Sequence, residues 1–123
     1  MTQEQKIRRN SNNIISSRYC IKDGQAIQQL ENHIIRKYRL HLHRMNTNRI
    51  VPLCDSLKDG YHSDLINAEK APFQRAEKLL DILGKLGPHA FEEFINALQN
   101  VDPELGSPIL DELNRNDVLT ISG

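Results

Sequence analysis

The sequence predicts an all-α domain, six helices in a compact antiparallel bundle, and three observations predict it. Apolar residues recur at helical spacing, most clearly from Phe73 to Val101 (FQRAEKLLDILGKLGPHAFEEFINALQNV). The helical segments are separated by short connections marked by Gly, Pro, Asn and Asp. No repeat of fixed period and no dominant β-alternation competes with this pattern. Within Phe73–Val101, one stripe runs through Phe73, Ala76, Leu79, Leu80, Leu83 and Leu86 to a Leu-Gly-Pro corner; a second follows through Phe91, Phe94, Ile95 and Leu98. Two such stripes cannot bury each other completely, so the other segments must supply helices that close the core.

Taken in order, residues 1–24 read as a polar, basic tail with Lys6, Arg8 and Arg9. Apolar islands at Ile14–Ile15 and Tyr19–Ile21 are compatible with a short extra helix on the outside. From Gln25 to about Met45, the residues Ile27, Leu30, Ile34, Ile35, Tyr38, Leu42 and Met45 share one helical face, while Arg36, Lys37 and Arg39 project elsewhere. Asn46, Thr47 and Asn48 supply capping side chains for a second helix with Ile50, Val51, Leu53 and Leu57 on its stripe, and Pro52 fits only near its start. Lys58-Asp59-Gly60 reads as its end, with Gly60 in the left-handed conformation.

A third, brief helix carries Leu65, Ile66 and Ala68 after a restart at His62-Ser63-Asp64. Pro72 suits the first turn of the fourth, and Gly87-Pro88 closes it and opens the fifth. Val101-Asp102-Pro103 breaks the fifth. Leu105, Ile109, Leu110 and Leu113 mark a weaker sixth, interrupted by Gly106, Ser107 and Pro108. The expected organisation is therefore a tail at 1–24, a domain at 25–113 and a linker at 114–123.

The 123 residues fit one domain with a real core. Sixteen basic and sixteen acidic residues cancel, so no global field favours nucleic acid or an anionic membrane. Few aromatics are present to stack on bases, which places a nucleic-acid-binding helical domain behind the other readings. No apolar run approaches the roughly 20 residues that span a bilayer. Cys20 and Cys54 fit neither a disulfide framework nor a zinc pattern, which suggests a reducing, cytoplasmic setting.

Metal, cofactor and catalytic readings find no support. His41 and His43 stand two apart on a helix and point in different directions, without a ligand-spaced partner. Cys54 sits among Val51, Leu53 and Leu57, where a small buried hydrophobe is the ordinary role. The glycines form no phosphate-binding fingerprint. What remains is charge segregation: Arg36, Lys37 and Arg39, with Arg75 and Lys78, form a basic face if the first and fourth helices are neighbours. Asp55, Asp59, Asp64 and Glu69 concentrate acid on the second and third. Opposite patches on different sides of a domain permit head-to-tail contacts that do not close.

The stretch AEKLLDILGKLGPHAFEEFINALQNV resembles the fourth and fifth helices of caspase recruitment domains (CARDs) of the death-domain superfamily, through its Leu-Leu-Asp-Ile-Leu run, its Gly-Pro corner and the spacing of Ala90, Phe91, Phe94, Ala97 and Leu98. IIRKYRLHLHRM resembles the first helix, and RIVPLCDSLKDGYHSDLINAE the second and third. The resemblance covers about Gln25 to Leu113.

It implies a six-helix Greek-key death fold and a non-enzymatic, cytoplasmic role, in which the partner is another CARD: self, caspase or adaptor. Initiator caspase prodomains in apoptotic signalling, whose protease part would follow, are the foremost reading; an adaptor or nucleotide-binding sensor of apoptosis or innate immunity is the alternative. Arg39 matches a first-helix position that is typically basic in recruited caspases, and Arg36 and Lys37 extend that surface. Glu77 departs from the basic character expected at its place in the fourth helix, leaving Arg75 and Lys78 to serve from adjacent positions.

Overall fold

The computed structural model describes residues 18–22 and 24–122. Six α-helices are present among them: α1 (Gly24–Leu42), α2 (Thr47–Ile50), α3 (Gly60–Asn67), α4 (Pro72–Leu86), α5 (Pro88–Val101) and α6 (Pro103–Arg115). A 3-10 turn (Val51–Leu53) follows α2 directly. Two short strands, β1 (Arg18–Ile21) and β2 (Leu119–Ser122), flank the bundle in sequence.

The expected stripes build the core. On α1, Ile27, Ile34, Ile35 and Leu42 are buried, on α4 Ala76, Leu79, Leu80 and Leu83, and on α5 Phe91, Phe94, Ile95 and Leu98. The rings of Phe91 and Phe94 sit 6.4 Å apart at the centre. Fully burying each of these side chains contributes about 1.5–3 kcal/mol, so the α4–α5 pair is held mainly by this apolar contact. Two ends of the α4 stripe depart from expectation, since Phe73 is 52% exposed and Leu86 38%. Both stand in the terminal turns of α4.

The connections follow local chemistry. Asn46 caps α2 by accepting from the Asn48 amide at 3.1 Å. Pro52 then divides the expected second helix, because its ring nitrogen has no hydrogen to donate; a 3-10 turn with Cys54 N–H donating to the Val51 carbonyl at 3.0 Å takes its place. Leu53 is consequently turned outward, while Ile50, Val51, Cys54 and Leu57 remain buried.

Gly60 differs from expectation as well. It is the first residue of α3 and has no left-handed backbone, since Asp59 caps the helix by accepting from the His62 amide at 2.8 Å. Gly87, by contrast, has φ of 95° at the corner between α4 and α5, a conformation that disfavours any residue with a Cβ. The sixth helix is more regular than its sequence suggests: α6 runs unbroken through Gly106 and Pro108. Gly106 lets it approach α5, because a Cβ there would lie 2.7 Å from Gln99 Oε1 and 3.3 Å from Gln99 Cα.

The strands are the main difference from the sequence reading, which placed Tyr19–Ile21 in a tail and residues 114–123 in a linker. β1 and β2 pair antiparallel, with Tyr19 opposite Ile121 and Ile21 opposite Leu119. Val118 and Leu119 are buried, so the ladder is continuous with the core. Helix α5 anchors β1 with polar side chains. Tyr19 N–H donates to Asn96 Oδ1 and the Asn96 amide donates back to the Tyr19 carbonyl, each at 2.9 Å, while Ile21 N–H donates to Glu92 Oε2 at 2.8 Å. Residues 1–17, where the tail and extra-helix readings chiefly fall, lie outside the described residues.

Candidate protein-interaction site

Helices α1 and α4 are neighbours, as a basic face formed from both requires. Arg39 on α1 reaches across to α4, where its Nε donates to both Glu77 carboxylate oxygens at 2.8 Å and its guanidinium also contacts Asp81 at 3.1 Å. His43, one turn further on and just past the end of α1, meets the other side of the Glu77 carboxylate. The Arg39 hydrogen bonds, followed by those of His43, hold the Glu77 carboxyl below the usual range, and Glu77 in turn raises Arg39. Glu77, read as a departure from a basic pattern, is therefore the local counter-charge of Arg39.

A second network occupies the α1–α6 seam. Glu112 is buried, and Lys37 Nζ and Tyr38 Oη both donate to its Oε1 at 2.8 Å. His33 approaches Oε2 at 3.3 Å and Arg115 stands 3.9 Å from Oε1. Hydrogen bonds from Lys37 and then Tyr38 keep the Glu112 carboxyl below its ordinary value. Nothing in the sequence pattern marked Glu112, which occupies an otherwise apolar face of α6. A signal was available only in retrospect, in the cationic residues His33 and Lys37 spaced one turn apart.

The basic residues thus have different situations. Lys37 and Arg39 hold carboxylates within the domain, and Arg75 Nη1 donates to the carbonyls of Glu69 and Lys70 at 2.9 and 3.0 Å, bracing the link between α3 and α4. Arg36 is exposed and Lys78 half-buried, and neither has an ion pair among the described residues.

The acidic residues cluster around α3. Asp59 is its cap, and the hydrogen bond from the His62 backbone amide, opposed by desolvation and aided by the His62 side chain, lowers its carboxyl. Asp55 pairs with Lys58 at 3.0 Å in the preceding turn. Asp64 is exposed on α3, and Glu69 is half-buried just after it. A cleft of about 290 Å³ between the 3-10 turn and α3 has Asn48, Pro52, Lys58 and Ser63 in its walls.

Apolar side chains accompany both faces. Leu40 (79% exposed) projects from α1 one turn on from Arg36, and Phe73 lies at the start of α4, where its ring is 6.0 Å from that of His43. Leu53 and Tyr61 (70% exposed) lie on the α2–α3 side. Sequence reasoning missed Leu40 as a surface feature, although its place off the inward stripe of α1 was visible.

The other chemistry is unpromising on physical grounds. Cys54 is completely buried, and desolvation, reinforced by Glu93 and Asp55, pushes its thiol up to about 12, the opposite of what a nucleophile needs. Among the described residues no cluster of three or more His, Cys, Asp or Glu could hold a metal ion, and no helix is long and apolar enough to cross a membrane.

The sequence model of one family, described as the caspase recruitment domain, matches residues 32–112, a span running from within α1 to within α6. No curated protein and no solved structure matches the chain.

Proposed function

The chain belongs to the caspase recruitment domain family, a family of homotypic protein-interaction modules with the all-helical death fold, and from that premise we propose that it is the recruiting prodomain of an initiator caspase acting in apoptotic signalling in the cytoplasm. Its partner in this reading is another CARD. The basic face of Arg36, Lys37, Arg39, Arg75 and Lys78 meets the acidic face of Asp55, Asp59, Asp64 and Glu69 on the next domain, and repetition of the contact clusters the attached proteases.

One observation carries this reading: the exposed apolar side chains accompany the two charged faces, Leu40 and Phe73 with the basic one and Leu53 and Tyr61 with the acidic one. An apolar centre within a charged surround is the arrangement that gives an interface affinity from burial and register from charge. Arg36 and Lys78 are the cations most available to a partner, whereas Arg39 must share itself with Glu77 and Asp81.

The test mixes an Arg36→Glu/Lys78→Glu variant with the cognate CARD across salt concentrations. Binding should fall by at least about tenfold, and wild-type binding should weaken as salt rises. Undiminished, salt-insensitive binding rejects the basic face. Arg39→Glu is a harsher probe because it also sets a third carboxylate beside Glu77 and Asp81. The caspase reading further requires a cysteine-protease domain in the full-length protein.

A further inference from the structure

The β1–β2 ladder has one edge that is served and one that has no partner among the described residues. The Lys22 amide donates to the Val118 carbonyl at 2.8 Å, so these residues form a hydrogen-bonded pair of the antiparallel register. Alternation then makes Cys20–Thr120 and Arg18–Ser122 hydrogen-bonded pairs, while Tyr19 and Ile21 turn their backbone groups away from β2. Those outward groups of β1 are the ones that Asn96 and Glu92 on α5 engage. By the same alternation, Leu119 and Ile121 on β2 turn their N–H and C=O groups outward. The sheet has two strands, and no partner for those groups exists among the described residues.

We infer that β2 is a self-pairing edge, at which two copies of this chain join antiparallel through Leu119–Ser122 into a four-stranded sheet. Geometry selects the second copy as occupant. A twofold axis at Thr120 sets Leu119 of each copy opposite Ile121 of the other, and both are outward-facing residues. Each such pair exchanges both N–H···O bonds, so the junction closes with four hydrogen bonds and leaves no outward group idle. Thr120, exposed on the sheet surface, then faces its own counterpart in the closer, non-hydrogen-bonded pair, a favourable cross-strand combination.

An axis of this kind sets Thr120 against its own copy and Leu119 and Ile121 within two positions of theirs, so like charge close to the axis would repel. Leu-Thr-Ile-Ser carries none, and it lacks the lysine or proline with which edge strands ordinarily block such pairing. This contact is distinct from the charged faces of α1–α4 and α2–α3 and is expected to resist salt.

Sedimentation equilibrium over a wide protein range, with and without high salt, tests the dimer directly. A concentration-dependent, salt-insensitive dimer is expected, weakened at least about tenfold by Thr120→Lys, which sets like charges on the axis. Circular dichroism checks that the variant keeps its helices. Arg36→Glu/Lys78→Glu should leave the dimer unchanged, separating it from CARD–CARD recruitment.

A second measurement does not depend on that variant. In a Cys20→Ser background, Thr120→Cys should crosslink between copies on oxidation and Ser122→Cys should not. A wild-type protein that stays monomeric throughout, a dimer indifferent to Thr120→Lys, or equal crosslinking at both positions overturns the inference. So does concentration-independent protection of the Leu119 and Ile121 amides from hydrogen exchange, which would mean that another segment occupies the edge.

Discussion

Arg39 of α1 and Glu77 of α4 neutralise each other across the face where sequence reasoning expected basic charge to stand open, with Nε 2.8 Å from both carboxylate oxygens. Each side chain is about a third exposed, so solvent screens the pair. A double-mutant cycle with Arg39→Gln and Glu77→Gln should return a coupling of about 0.5–1 kcal/mol in chemical denaturation. In the recruitment reading, Glu77→Gln alone should also tighten binding to an acidic CARD face, because it releases Arg39. A variant that binds more weakly while remaining folded would count against that face.

Glu31 is buried on α1 with its Oε2 unpartnered, and desolvation raises its carboxyl from the ordinary 4.5 to about 7. The folded state therefore holds a proton that the unfolded chain releases between pH 4.5 and 7. Stability attributable to this group is fully present below 4.5 and declines as pH rises to 7, by about 3 kcal/mol for a shift of that size. Glu77 and Glu112 act in the opposite sense, since their lowered values make stability decline as pH falls below 4.5. Urea midpoints across pH should thus fall on both sides of a mildly acidic optimum, and Glu31→Gln should flatten the alkaline side.

Asn96 spans the peptide group of Tyr19, accepting from its N–H and donating to its C=O. Asn96→Ala removes both contacts and should cost about 1–3 kcal/mol, because two backbone groups lose their partners. Amide exchange should locate the damage. Protection at Tyr19 and across β1–β2 should drop while the centres of α1 and α4 keep theirs.

Gly106→Ala tests the close approach of α6 to α5. The Gln99 side chain can retreat from a new methyl group, but its Cα, 3.3 Å from the added Cβ, cannot do so without moving the helix. A loss of about 1–3 kcal/mol is expected from this overpacking, read as a lower melting temperature.

Thiol chemistry should distinguish the two cysteines. Cys54, buried with its thiol at about 12, should resist a disulfide reagent at pH 8 until the protein unfolds, whereas the half-buried Cys20 should react earlier. Fast native labelling of Cys54 would contradict its place in the core.

Much of the bundle was legible because burial imposes a period on the chain. Ile27, Ile34, Leu42, Leu79, Leu83, Phe94 and Leu98 announced their helices and lie in the core. Pro52 was recognised as awkward, but whether the helix would shift its start or yield to a 3-10 turn depends on hydrogen bonds that the pattern does not encode. The strands escaped notice for a different reason. Four residues each, RYCI and LTIS contain too few alternations to stand out, and their pairing joins segments about a hundred positions apart.

The charged face was legible as composition but not as geometry. Arg36, Lys37, Arg39, Arg75 and Lys78 are all identifiable in the sequence, yet only tertiary packing decides that Glu112 takes Lys37, Glu77 takes Arg39 and two carbonyls take Arg75. A long cation can turn toward whichever acceptor the fold brings within reach, and a helical wheel records only its starting direction.

The register that sets Arg18 against Ser122 also determines how the domain would answer a pull. Tension applied to these two residues acts on the first rung of the ladder, so the bonds open in succession, as in a zipper, and never share the load as they would under shear. Stretching the chain from both sides should therefore peel β1 from β2 at low force, rung by rung toward Lys22 and Val118, before the helices feel any strain.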